Sequence, residues 1–327
     1  MQWLLTILRW VLPATEVDGQ RLDQDLRALL FLSNKRRSLE TYEPPDARIR
    51  ALKSQKLIPR PHVPMHAVTE LHAAGLAMRR YQPTPKPSGD GLLYFHGGGF
   101  VVGGLESHDH LCRVLAKESG CELIAVDYRL APEHPFPAAV NDALAAWQWF
   151  QNEPFARHFI GGDSAGGNLT AVVCQQTETK PDAQLLIYPA TDAVTIRPSR
   201  TTFSDGFLYT GAMSNWFKKH YLPEGTDRND ERISPFYRTD VSDQPPAHVL
   251  VAGFDILHDE GVAYAEKLKQ AGVPVTVQSE PSLIHGFTQV AGACPAALRA
   301  IQDAGRGLRN LRTEARATTK STERNMA

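Results

Sequence analysis

Ser164 stands among four glycines in "FIGGDSAGGNL" (159–169), and a hydroxyl presented in that way is a candidate nucleophile. A glycine inside a strand or helix costs roughly 0.5–1 kcal/mol relative to alanine, so Gly161, Gly162, Gly166 and Gly167 need a reason. A sharp reversal supplies one: a strand ending at Gly162 gives way to a helix starting near Ala165, and side chains at Gly162 and Gly166 would strike the neighbouring strand and helix. Ser164 is then at the apex, beside free helix amides and a dipole that favours a developing oxyanion. The competing reading of the run is a tight turn without chemistry.

A second glycine run, "HGGGF" (96–100), follows the apolar "LLYF" and frees main-chain N–H groups to converge on a small anion. Gly97 and Gly98, with the amide of Ala165, are the expected oxyanion donors. His96 is expected to orient that loop through hydrogen bonds, and "DYRLAPEHPFPAA" (127–139) to brace it. Neither G-x-G-x-x-G nor G-x-x-x-x-G-K-[ST] occurs, which counts against a phosphate cradle.

A serine hydroxyl attacks only when a base takes its proton, and the base needs a carboxylate to orient it. "LIHGF" (283–287) places His285 after the strand-like "PVTVQSE", and "GFDILHDEG" (253–261) places Asp255 after "AHVLVAG". Both follow C-terminal strand ends, where sites in open α/β sheets gather. Asp259 and Glu260 compete for the acid's role, but are expected to open the next helix and favour its dipole. "HDH" (108–110) is no metal site on this reading, since residues two apart on a helix diverge.

Strand-like and helix-like segments alternate around these motifs. "AVTELHAAGLAMRRY" (67–81) reads as a hairpin turning at Ala74-Gly75, and short apolar runs recur at 92–95, 122–128, 157–162, 183–189, 247–253 and 274–280. Helical patterns fall at about 107–118, 138–151, 165–177, 259–271 and 295–312. The alternation predicts a mostly parallel sheet covered on both faces, with the hairpin as an antiparallel edge. Residues 193–232, aromatic and polar without a strand, read as an inserted subdomain. The polar tail after Arg312 is expected to fray.

At the N-terminus, Trp3, Leu4, Ile7, Leu8 and Val11 make one apolar helical stripe, and Leu22, Leu26, Leu29 and Leu30 make another. The first run, interrupted by Arg9 and stopped by Pro13, is too short to span a bilayer and has no signal-peptide cleavage site. The two helices are expected to pack as a lid that buries both stripes, with a membrane surface as the alternative. A net charge of −1 gives no reason to expect nucleic acid or anionic lipid as a partner. Cys112, Cys121, Cys174 and Cys294 have no paired or zinc-like spacing and are expected to be buried free thiols.

Taken in order, "HGGGFVVG", "DYRLAPEHPFPA", "GGDSAGGNL", "YPATD", "ISPFY", "AGFDILHDEG" and "HGF" resemble the hormone-sensitive-lipase-like family of α/β-hydrolases, bacterial carboxylesterases, over residues 90–290. The resemblance implies an α/β-hydrolase fold with a mostly parallel eight-stranded sheet flanked by helices and a helical cap. Residues 1–55 and 193–232 would form the cap, 56–192 and 233–312 the catalytic domain, and 313–327 a flexible tail. It implies a serine carboxylesterase acting on short to medium acyl esters through an acyl-enzyme, with Ser164, Asp255 and His285 as triad and Gly97, Gly98 and Ala165 as oxyanion donors. Amidase or lactonase activity, or a non-catalytic receptor on the same fold, are the alternatives. No cofactor or metal is implied; the partner is a small-molecule ester, the location cytoplasmic, and a homodimer is compatible. Ile256 departs from the family's frequent proline after the acid, which alters loop stiffness but not chemistry.

Overall fold

The computed structural model describes residues 2–60, 62–86 and 89–326, with side chains from Ile7 to Leu311. Its centre is an eight-stranded sheet. The strands are β1 (Ala67–Ala73), β2 (Leu76–Gln82), β3 (Asp90–Phe95), β4 (Glu122–Asp127), β5 (Arg157–Asp163), β6 (Ala183–Ile187), β7 (Ala247–Phe254) and β8 (Val275–Ile284). They lie side by side in the order β8-β7-β6-β5-β3-β4-β2-β1. β1 and β2 form the expected antiparallel hairpin, β2 runs antiparallel to β4, and every other pairing is parallel. Ala74 and Gly75 both have positive φ, as a two-residue hairpin turn with the sheet's twist requires.

Sequence and burial agree strand by strand. β3, β6 and β7 are buried at every residue, which is why they read as mostly apolar runs, whereas the edge strand β1 is mostly exposed. The pleat sends alternate residues of β3 to opposite layers. Leu92 and Tyr94 join a core with α4 (Leu105–Ser119) and α10 (Pro295–Met326); Leu93 and Phe95 join one with α5 (Ala138–Phe150) and α6 (Ala165–Gln176). α9 (His258–Gln270) covers β7 and β8. All four cysteines are buried, and among the described residues none forms a disulfide. Among the described residues, no helix is long and apolar enough to cross a membrane.

Two expectations need correction. The last helix does not stop at about 312: its backbone continues to Met326, and no glycine or proline after Gly307 interrupts it. Nor are both N-terminal stripes buried. In α2 (Gln24–Ser33) Leu26 and Leu30 are buried, as is Leu22 before it, with Leu29 half-buried. Among the described side chains of α1 (Gln2–Val11), Leu8 alone is buried, against Ala28, while Ile7 and Val11 are 49% and 69% exposed. The side chains of Trp3 and Leu4 lie outside the described residues. Among the described residues, α1 packs on α2, and Ile7 and Val11 point away from that contact into solvent.

Residues 193–232 contain α7 (Pro198–Thr202) and α8 (Gly211–Tyr221). α8 packs on the short 3₁₀ turn Leu39–Thr41, and Asn34 Nδ2 donates to Gly206 O at 3.4 Å. The N-terminal segment and the insert therefore touch each other over one end of the sheet.

Candidate active site

β5 ends at Asp163, α6 begins at Ala165, and Ser164 between them has φ 55° and ψ −114°. That is the left-handed side of the map, disfavoured for any residue with a Cβ, and it is held by packing. The Ser164 amide donates to Ile187 O at 2.9 Å, and its carbonyl accepts from Asn168 N at 3.0 Å and Ala190 N at 3.2 Å. Gly166 explains the glycines: a methyl there would overlap the Phe95 carbonyl, so α6 can cross β3 this closely only without a side chain.

Three residues distant in the chain meet at this elbow. His285, one residue past β8, holds Nε2 at 2.9 Å from Ser164 Oγ. Its Nδ1 is 2.7 Å from Asp255 Oδ2, just after β7. Asp255 Oδ1 accepts the Leu257 amide at 2.7 Å, which fixes the carboxylate's rotation. With Nδ1–H given to Asp255, Nε2 is left to accept the serine proton. Asp255 is buried, and the imidazole lies against the rings of Tyr188 and Tyr209. The competing acids are engaged elsewhere: Asp259 accepts the Ser199 amide at 2.8 Å, and Glu260 accepts the Thr191 amide at 2.9 Å and pairs with Arg200. The chemistry open to the trio is nucleophilic attack by an oxygen whose proton an oriented imidazole removes.

The glycine loop differs from expectation at one residue. The Gly97 amide already donates to Asp163 Oδ1 at 2.9 Å, so it is not free for an anion in the site. Among the described residues, the amides of Gly98, Gly99 and Ala165 donate to no protein acceptor, and Gly99 and Ala165 line the cleft with Ser164. The loop is braced as anticipated: Tyr128 donates to His96 O at 2.7 Å, and the Ala131 amide to Phe100 O at 2.8 Å. His96 Nδ1 lies 2.8 Å from Gly97 O, and burial, with His108 nearby, pushes this imidazole down to about 3. It is neutral at physiological pH.

Asp163 is a buried carboxylate behind the elbow. It accepts from the Gly97 amide, from Tyr94 OH at 2.9 Å and from Tyr188 OH at 3.4 Å, and His108 Nε2 stands 3.4 Å away. Burial alone would push its carboxyl up, but His108, the Tyr94 hydroxyl and His96 together hold it below its ordinary value. "HDH" thus splits by role: His108 faces Asp163, while Asp109 binds Arg113 at 2.8 Å.

Ser164 opens onto a cleft that Gly99, Phe100 and Ala165 line beside it. Of the aromatics in the insert, Tyr209, Phe217 and Tyr221 line it, whereas Phe203 and Phe207 pack on Phe254 as core. Sequence reasoning did not place Asn168, Arg200, Lys218 or Glu260 here, although all four line the cleft. The spacing of Ser214, Phe217, Lys218 and Tyr221 along α8, three and four residues apart, was the available signal that they share a face.

A parallel-centred sheet with a serine on a strand–helix elbow, and an acid and an imidazole on the ends of two later strands, is the architecture of an α/β hydrolase. The family of that name, described by the alpha/beta hydrolase fold, matches residues 92–289. The chain is 37% identical to carboxylic ester hydrolase LipN of Mycobacterium tuberculosis, covering 88% of this chain and 83% of that protein. It is 42% identical to the ethyl acetate hydrolase of Pseudomonas putida, over 66% of this chain and 72% of that one. The crystal structure of LAE6, an alpha/beta hydrolase enzyme from the metagenome of Lake Arreo, Spain, superposes with a TM-score of 0.85 at 39% identity, covering 88% of this chain and 98% of that chain. The chain belongs to the α/β-hydrolase family, in its hormone-sensitive-lipase-like carboxylesterase branch.

Proposed function

We propose that the protein is a serine carboxylesterase that cleaves short to medium acyl esters through an acyl-enzyme. The observation that carries this is the unbroken hydrogen-bonded chain from Ser164 Oγ through His285 to Asp255, at 2.9 and 2.7 Å. A receptor has no need of such a chain. As Ser164 Oγ bonds to the ester carbonyl carbon, its proton passes to His285 Nε2, and Asp255 stabilises the imidazolium. The carbonyl oxygen, now negative, is received by the amides of Gly98, Gly99 and Ala165, Gly99 taking the place first expected of Gly97. The carbon–oxygen bond to the alcohol then breaks, and the alcohol leaves with the proton from Nε2. Water enters, gives its proton to His285, and releases the acid by the same steps in reverse.

The segments 1–55 and 193–232 act as the cap over this cleft, which their mutual contacts support. Four buried thiols outside any disulfide favour a reducing compartment, the cytoplasm. The test is turnover of p-nitrophenyl acetate, butyrate and palmitate by the wild type and by Ser164→Ala. Release of p-nitrophenol that requires Ser164 and is faster from butyrate than from palmitate is expected. No serine-dependent release from any of them would reject the reading.

A further inference from the structure

The cleft above Ser164 carries more charge than a plain alkyl ester calls for. Three of its lining side chains are charged at neutral pH, Asp192, Arg200 and Lys218, and a fourth, the buried Glu260, titrates at about 7. Glu260 pairs with Arg200 at 2.6 Å, and Asp192 pairs with Arg197 at 3.2 Å. Both acids are thus engaged with arginines, and neither is left for Lys218. Lys218 makes no ion pair or hydrogen bond among the described residues, so the wall retains one uncompensated cation.

Other groups around it are also unspent. The Tyr221 hydroxyl, one turn along α8, is buried in the same wall without a protein partner, and so is Arg200 Nε. Lys218 also borders a second cleft, shared with Lys219, Arg228 and Glu224, where cations outnumber the one acid. Burial lowers the Lys218 ammonium to about 8, with Arg200 and Arg228 acting in the same direction and Glu260 and Asp192 against them. Leaving a cation half-buried and unpaired is unfavourable unless an anion arrives to meet it.

We propose that Lys218 is a specificity-determining residue that receives a carboxylate, so that the favoured substrates are anionic esters whose arm in this cleft ends in a carboxylate. The class comprises half-esters of dicarboxylic acids, with the carboxylate on the acyl arm, and acyl esters of hydroxy acids, with it on the alcohol arm. This rests on the esterase reading above and narrows it. The ester bond is cleaved as already described, and Lys218 takes no part in the bond changes.

The test compares kcat/KM for two matched pairs: mono-p-nitrophenyl glutarate against p-nitrophenyl valerate, and acetoxybutanoate against butyl acetate. In at least one pair, the ratio of anionic to neutral ester is expected to fall roughly ten-fold or more in Lys218→Met, as for loss of a charge-assisted hydrogen bond, mainly through KM. Lys218→Arg keeps most of the ratio. In the wild type the ratio also declines as pH rises past about 8, and in Lys218→Met it does not. A ratio unmoved by Lys218→Met in both pairs overturns the proposal while leaving the esterase reading intact. Failure of the wild type to hydrolyse any of the four esters overturns both.

Discussion

The amide of Gly97 donates to Asp163 Oδ1 at 2.9 Å, tying the glycine loop to the strand end that carries Ser164. The same carboxylate gathers Tyr94 OH and faces His108, so one buried acid sets the loop's distance from the nucleophile. Replacing it with alanine would leave the Gly97 N–H and the Tyr94 hydroxyl buried and unsatisfied. Asp163→Ala is expected to cost about 2–4 kcal/mol of stability in urea unfolding. It should also lower kcat about 10–100-fold through displacement of the loop amides, with little change in KM.

Asp255 divides its two oxygens between the Leu257 amide and His285 Nδ1. An asparagine there keeps its oxygen on the Leu257 N–H and turns its NH₂ toward His285. Nδ1 must then accept, the proton moves to Nε2, and the imidazole can no longer take the serine's proton. Asp255→Asn is expected to reduce kcat by about 10⁴ with the melting temperature nearly unchanged. Steady-state kinetics beside a thermal melt checks both.

Much of this was legible in the sequence because the site sits at strand ends. Ser164, Asp255 and His285 each follow an apolar run, and flanking glycines mark two of them. The identity of the free loop amides was not legible. "HGGGF" offers several N–H groups, and only the distant Asp163, by consuming one, decides which remain. The half-buried face of α1 escaped for a similar reason: periodicity locates a stripe, but the number of neighbours that reach it is a tertiary fact. Nothing in the insert's sequence singles out Lys218; it is α8 that turns it toward the cleft Ser164 also lines.

Gly166 lies against the main chain of Phe95, which cannot withdraw without breaking the pairing of β3 with β5. Gly166→Ala is therefore expected to destabilise the fold by about 3 kcal/mol or to prevent soluble expression. Gly225→Ala is a fitting control for the added methyl: its surroundings are open, and only its positive φ is strained. Equal urea midpoints for wild type and Gly166→Ala would refute the close crossing.

Glu260 is fully buried, and burial raises its carboxyl to about 7 against the pull of Arg200 and two backbone amides. The folded chain then holds this proton more tightly than the unfolded chain, whose carboxyl titrates near 4.5. The contribution is full below about 4.5 and is lost as pH rises through about 7. Relative to Glu260→Gln, which stays neutral, the wild type should lose roughly 3 kcal/mol between these limits. Urea midpoints of the two proteins at several pH values test this, and parallel curves would contradict it.

The most direct measurement of the central claim is labelling with a p-nitrophenyl alkylphosphonate, followed by intact-mass and peptide analysis. If the imidazole of His285 activates Ser164, one phosphonyl group is expected on the peptide containing Ser164, with esterase activity lost in proportion. Labelling should vanish in Ser164→Ala and slow by orders of magnitude in His285→Ala. A label on any other residue, or full activity after stoichiometric labelling of Ser164, would contradict the account.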